Sequence, residues 1–277
     1  MPVTIPFHKM HGIGNDFVVV AAYDFARIPA DVNEAAVRYL CDRNFGVGAD
    51  GVLTYGMHQD SLVFGIFNAD GSRDTMCGNG LRCVVSLLAE VGRIPAIGIA
   101  YTDSGDVQYT YQSSQKVMLK LPAPQDFHAP ITVGDFTFTF INTGSPHAVV
   151  LLSDGQGPDP VAFVAVSSDM ENHADFPDGV STNWVWRDVN GGLHLRTWER
   201  GVGETLGCGT GTCAAGVAYI TNYPGERTVT LTSEGGSLVV SWEGGPNDPI
   251  FLTGPANRVM QGTISIPDSV LAPQTGV

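Results

Sequence analysis

A mixed α/β chain (α+β) built from two pseudosymmetric domains is what this sequence predicts. Three observations carry the prediction: short strand-like runs broken by glycine and proline, two apolar helical stretches, and the same turn ahead of each helix. At about 100 to 200 residues per domain, the 277 residues, 43% of them hydrophobic, are enough for two cores.

Taken in order, Asp31 to Cys41 (DVNEAAVRYLC) predicts a helix, with Asp31 as N-cap and Glu34 placed as in a capping box. A strand at LVFGIF then runs to Asn68, and the turn Cys77-Gly78-Asn79-Gly80 opens a buried helix over Leu81 to Val91. Strands follow at Lys116 to Leu121 and Phe136 to Asn142, where β-branched and aromatic residues dominate or alternate with polar ones. A strand at LHLRTW leads to Glu199, the turn Cys208-Gly209-Thr210-Gly211 opens a helix over Thr212 to Thr221, and Thr228 to Thr232 is a further strand.

These landmarks repeat. Cys77 and Cys208 are 131 residues apart, and Asn68 and Glu199 each stand nine residues before their cysteine. Gly14 to Val19 matches Gly144 to Val149 at an offset of 130, and Gly51 to Leu53 matches Asn183 to Val185 at 132. The expected domains are therefore residues 1–128 and 129–256, with a linker near Pro122 to Pro130. A strand near 257–268 is expected to pack back onto the first domain, and 269–277 to be a loose tail.

Composition excludes several classes. With 14 Lys and Arg against 28 Asp and Glu, a formal charge of -14, and no basic cluster, a nucleic-acid partner is not expected. No apolar run reaches the roughly 18 residues of a membrane span. The opening MPVTIPFHKM lacks a signal-peptide pattern, so a cytoplasmic location is expected. Five cysteines, an odd number, are expected as thiols, and their close pairs are five and six residues apart, a poor match to zinc spacing. Cys41, Cys83 and Cys213 sit among apolar helical neighbours and are expected in the core.

Cys77 and Cys208 are different. A thiol at a helix N-terminus feels unpaired N–H groups and the positive end of the dipole, which are expected to lower its pKa. The same turns can hold a carboxylate on the amides of Gly78 and Asn79 and of Gly209 and Thr210. Two such turns facing one small molecule across a cleft would set an acid and a base on opposite sides of a carbon next to a carboxylate, the arrangement inversion requires. No phosphate-binding glycine motif appears, and none of Lys9, Lys116 and Lys120 lies in a pyridoxal-phosphate setting, so chemistry without cofactor or metal is expected.

Several long motifs resemble the diaminopimelate epimerase family. They are Lys9-Met10-His11-Gly12 with Asn15-Asp16-Phe17, Gly46 to Asp50, Asn68 to Ser72, Met76 to Gly80 with Arg82-Cys83, and Trp198 to Gly201 with Gly203 to Thr205, leading into Cys208 to Gly211. The resemblance runs from about Phe7 to Gly262. It implies two domains, each a mixed sheet or barrel around a central buried helix, with the site in the cleft between them. It also implies cofactor-independent interconversion of LL- and meso-diaminopimelate in lysine and peptidoglycan precursor synthesis, by a homodimer with a small-molecule substrate. By position Cys77 and Cys208 match the catalytic thiols, and Gly78, Asn79, Gly209 and Thr210 the carboxylate-holding amides. Asn15 matches a polar contact, and Asn68, Asn183, Glu199 and Arg200 match the groups at the distal end of the substrate. His147 and Glu199 match groups that tune thiol ionisation. The chain departs from the family at Ser145, where Asn is usual before Pro146-His147; a hydroxyl then replaces an amide contact.

Two alternatives stand beside this reading. A two-cysteine racemase acting on another amino acid would not need the counter-charge of Arg200, and a thiol redox or metal-storage protein would work through a disulfide or a bound metal.

Overall fold

The computed structural model describes residues 2–59, 61–155 and 157–272. The chain divides into two units, Met1–Leu119 with Pro255–Val277, and Lys120–Gly254. The first holds strands β1 (Val3–Gly12), β2 (Asn15–Ala21), β3 (Gly51–His58), β4 (Ser61–Asn68), β5 (Arg73–Asp74), β6 (Ile97–Thr102) and β7 (Gly105–Ser113), and the start of β8 (Lys116–Leu121). Its helices are α1 (Ala22–Phe25), α2 (Asn33–Cys41) and α3 (Gly78–Glu90). The second holds β9 (Gln125–Val133), β10 (Phe136–Asn142), β11 (Pro146–Leu151), β12 (Ser181–Arg187), β13 (Leu193–Glu199), β14 (Gly203–Thr205), β15 (Thr228–Ser233), β16 (Gly236–Ser241) and β17 (Ile250–Gly254), with α4 (Pro160–Glu171) and α5 (Gly209–Asn222). The chain then returns to the first unit as β18 (Asn257–Ile266) and α6 (Asp268–Leu271).

Each unit repeats one plan. In the first, β18 pairs antiparallel with β1, β1 with β2, β2 runs parallel to β3, β3 antiparallel to β4, β4 parallel to β6, and β6 antiparallel to β7. In the second, β9, β10, β11, β12, β13, β15 and β16 follow the same sequence of directions. The correspondence holds to the residue. Ile66 pairs with Asp74 and Phe67 with Arg73, while Thr197 pairs with Thr205 and Trp198 with Glu204, each 131 positions on. Among the described pairings β7 does not join β18, so the ladder of the first unit is not closed into a barrel.

The buried helix at the centre of each unit explains the apolar runs. Every residue of α3 from Asn79 to Leu88 is buried, as is every residue of α5 from Gly211 to Ile220, so neither is the one-sided helix of a protein surface. Strands facing such a helix are apolar along their length, as Phe17 to Ala21 are. A further core layer in the first unit packs Val18, Val20 and Val52 with Val37 and Leu40 of α2. Its equivalent in the second packs Phe138, Phe140 and Trp184 with Phe163 and Met170 of α4.

Three local expectations need correction, and one further helix forms. A 3₁₀ turn at Ala30–Val32 precedes α2, whose N-cap is Val32 with no side-chain bond. Glu34 accepts instead from Arg38 Nη1 at 3.4 Å, one turn on, so the capping box does not form. Helix α4 was not anticipated, although Asp159-Pro160 is a start signal: the Asp159 carboxylate accepts from the N–H groups of Val161 and Ala162 at 3.0 and 2.9 Å, and Pro160 needs no partner there. The stretch expected as a linker is mostly β9, whose ladder shifts register around Ala129 and Pro130, where a proline is tolerated. In the expected loose tail, Val270 and Leu271 pack on the first core, and residues 273–277 lie outside the described residues.

Candidate active site

Cys77 is the N-cap of α3, in extended conformation (φ -138°, ψ 119°), and is half-buried. Its carbonyl accepts from Leu81 N–H at 2.8 Å, which fixes the first turn, with Gly78 and Asn79 as its leading residues. The Sγ atom lies 3.7 Å from Asn15 Oδ1, and Asn79 Nδ2 donates to the same oxygen at 3.4 Å. Asn15 Nδ2 donates to Asp50 Oδ2 at 2.9 Å. Behind it, Asp16 is held by Lys9 and by both Nη atoms of Arg43, which also reaches Asp50 at 2.8 Å. Burial pushes the Asp16 carboxyl up, but these two cations outweigh it and bring it to about 2. Asn68, at the exposed end of β4, donates to Ser72 Oγ at 3.1 Å across a tight turn.

Cys208 stands in the same place in the second unit, as the N-cap of α5 (φ -115°, ψ 124°), and is buried. Its Sγ is 3.4 Å from Thr210 Oγ1. Burial raises its pKa strongly and the neighbouring Glu199 carboxylate raises it further, while Thr210 and the N–H of Gly211 pull the other way. The direction at Cys208 is opposite to the lowered thiol pKa expected at a helix N-terminus, because desolvation and a like charge both favour the protonated form. Glu199 ends β13 and accepts from Thr205 Oγ1 at 2.6 Å.

His147 is fully buried on β11 and joins this thiol through hydroxyls. Its Nε2 lies 2.9 Å from Ser145 Oγ and 3.0 Å from Thr210 Oγ1, and Ser145 and Thr210 are 3.1 Å apart. On the other side Asn183 Nδ2 is 3.1 Å from Nδ1, and Thr197 Oγ1 donates to Asn183 Oδ1 at 3.1 Å. Asn183 as donor makes Nδ1 an acceptor and leaves the proton on Nε2, directed at the hydroxyls. Burial and then Arg200 lower the imidazole to about 3, so His147 is neutral at physiological pH. Asn183 is wholly buried behind His147. Arg200 is the exposed one: its Nη1 donates to Asp178 O at 2.9 Å, and it lines an open groove of about 550 Å³ with Glu171, His173 and Phe176.

Apart from Asn68 and Arg200, which are exposed, the expected residues fall into two clusters, one per unit. Asn15, Gly78 and Asn79 gather around Cys77, and Ser145, His147, Asn183, Glu199, Gly209 and Thr210 around Cys208. The second glycine of each turn serves packing. A Cβ on Gly80 would lie 2.9 Å from Leu53 Cδ2, and one on Gly211 would overlap Asn183 Oδ1. Cys41, Cys83 and Cys213 are buried, and burial pushes the first two thiols up to about 12. Sequence reasoning gave no role to Thr197, Asp50 or Arg82. Arg82 had a legible signal, a lone charge inside the apolar run Leu81 to Val85. Among the described residues no cluster of His, Cys, Asp and Glu is suited to a metal ion, and no helix is long and apolar enough to cross a membrane.

Two like units thus each present a cysteine at the head of a buried helix. Solved structures share the fold. A Bacillus anthracis phenazine biosynthesis protein of the PhzF family superposes with a TM-score of 0.72 at 15% identity, covering 94% of this chain and 99% of its own. A hydroxyproline epimerase from Agrobacterium vitis superposes with a TM-score of 0.67 at 17% identity, covering 95% and 91%. The family model for diaminopimelate epimerase matches residues 7–120 and 139–259. Diaminopimelate epimerases of Azoarcus sp. (strain BH72) and Thioalkalivibrio sulfidiphilus are 35% and 36% identical, each alignment covering 95% of this chain and 99% of the relative. The chain belongs to the diaminopimelate epimerase family.

Proposed function

We propose that the protein interconverts LL- and meso-2,6-diaminopimelate without a cofactor, with Cys77 and Cys208 as the two bases. The observation that carries this reading is the matched placement of one cysteine at the N-cap of the buried helix in each unit, in a chain of this family. Inversion needs a base to take the α-proton from one face and an acid to return one to the other. A thiolate that accepts the proton becomes a thiol, and the opposite thiol that gives its proton becomes a thiolate, so the charge on sulfur changes sides once per turnover. At Cys208, burial and the neighbouring Glu199 carboxylate favour the protonated thiol, the form that can give a proton.

The negative charge that develops on the substrate's α-carboxylate is met by the N–H groups that begin α3 and α5, at Gly78, Asn79, Gly209 and Thr210, which are oriented before substrate arrives. Arg200 and Asn68, both exposed, are assigned to the distal amino-carboxylate end; Asn183 serves by holding His147. Five free thiols fit a reducing cytoplasm, where the product would feed lysine and peptidoglycan precursor synthesis. Incubation with diaminopimelate and with monocarboxylic amino acids in deuterated water tests the proposal. Deuterium should enter the α-position of diaminopimelate alone, without added metal or pyridoxal phosphate. Equal exchange into lysine or alanine would favour the racemase reading, and a requirement for either cofactor would overturn the two-thiol chemistry.

A further inference from the structure

The polar chain beside Cys77 has a donor-only group at one end and an acceptor-only group at the other. Arg82, buried at the start of the second turn of α3, donates Nη2 to Asn79 Oδ1 at 2.5 Å. A guanidinium has no acceptor, so the Asn79 oxygen must face it and the Asn79 NH₂ must face away, toward Asn15. Asp50 is a carboxylate and only accepts, so the NH₂ of Asn15 must face it, which turns the Asn15 oxygen toward Asn79 and Cys77. The two ends assign both amides independently and agree. Asp50 is held in turn by Arg43 and by the N–H of Asp16 at 3.1 Å.

We propose that Arg82 and Asp50 are positioning residues of the epimerisation site: together they lock the Asn15 carboxamide so that its oxygen faces the Cys77 sulfur. An oxygen there accepts from the thiol and keeps its proton on sulfur, whereas an NH₂ in its place would donate to a thiolate. The orientation of one amide therefore helps set how much reactive thiolate Cys77 presents, through residues that never touch it. The inference rests on the reading of Cys77 as a catalytic thiol only for the word epimerisation, because the thiol's reactivity is measurable without substrate.

The test is the rate of Cys77 alkylation by iodoacetamide at one fixed pH, read by peptide mass spectrometry on the full chain carrying Cys208→Ser. Asp50→Ala frees the amide to turn and should raise the rate about threefold to tenfold, the scale of one net hydrogen bond. Asp50→Glu, which keeps an acceptor-only group, should restore most of the parent rate. In an Asn15→Ala background Asp50→Ala should change nothing further, since its path to sulfur is gone. An effect of Asp50→Ala that persists without Asn15, or no effect in its presence, overturns the proposal. Arg82→Met should act in the same direction, and to be absorbed in the same way by Asn79→Ala; if removal of this buried cation unfolds the chain, the Asp50 and Asn15 cycle still decides. Loss of epimerase activity with this cycle intact would count against the function and leave the positioning in place.

Discussion

The side chains at the two thiols separate what burial does from what charge does. Cys77 and Cys208 share a local sequence pattern, yet Cys208 is buried beside Glu199 and Cys77 is half-buried beside an amide. Replacing either by Ala should lower epimerisation by at least the 10²- to 10⁴-fold commonly attributed to a general acid or base, while Cys41→Ala should leave turnover near the parent value. A rate above a tenth of the parent's in either site variant would remove that thiol from the mechanism. Glu199→Gln takes away a charge that holds the proton on Cys208, so in a Cys77→Ser chain the pH of half-maximal Cys208 alkylation should move down. An unmoved profile would mean that burial alone governs this thiol. His147 titrates at about 3 in the folded chain against an ordinary 6.5, so between those values the unfolded chain binds a proton that the folded chain refuses. Stability is therefore fully present above about pH 6.5 and falls as pH drops toward 3. Denaturant midpoints of the parent should show that slope, and His147→Gln should flatten it; parallel curves would contradict the buried neutral imidazole.

At the scale of elements, the helix heads do two tasks with one motif. The first glycine of each Cys-Gly-x-Gly begins the helix, and the second lets it lie against a strand. Gly211→Ala would drive a methyl into Asn183 Oδ1, the amide that orients His147, whereas Gly80→Ala meets only the ends of Leu53 and Phe64. Overpacking of this kind costs about 1 to 3 kcal/mol, and Gly211→Ala is expected at the upper end, with activity falling beyond the loss of stability. Equal unfolding costs and unchanged turnover in both would refute the assigned difference. Helix α4 depends on its cap: Asp159→Ala should cost about 0.5 to 2 kcal/mol by denaturant unfolding, because two backbone N–H groups lose their acceptor.

Across the whole molecule, the return of the chain as β18 matters most. It pairs along β1 from Ile266 opposite Val3 to Asn257 opposite His11, and Ile264, Ile266, Val270 and Leu271 complete the core layer under α2. A chain ending at Gly254 would leave β1 as a bare edge and that core open. It should be insoluble or lose its near-ultraviolet circular dichroism at neutral pH, even though the truncation removes no candidate site residue. A soluble truncated chain with native spectra would show that the first unit folds without β18.

The sequence by itself determined the repeat, the two buried helices and the identity of the paired cysteines, because these depend on local pattern: apolar spacing, glycine at the helix heads and a constant offset of 131. Some candidate residues were legible by position too, among them Asn15, which lies beside Cys77, and Thr210, which lies beside Cys208. Charge states and side-chain directions were decided only by the tertiary structure. Whether a helix N-terminus lowers a thiol's pKa depends on burial and on a carboxylate nine residues earlier in the chain, as at Cys208. Whether an asparagine meets a ligand or braces a histidine depends on which strand lies over it, as at Asn183 between His147 and Thr197. Electrostatics and hydrogen bonding are set by neighbours in space, and at this site most of those neighbours are tens of residues away along the chain.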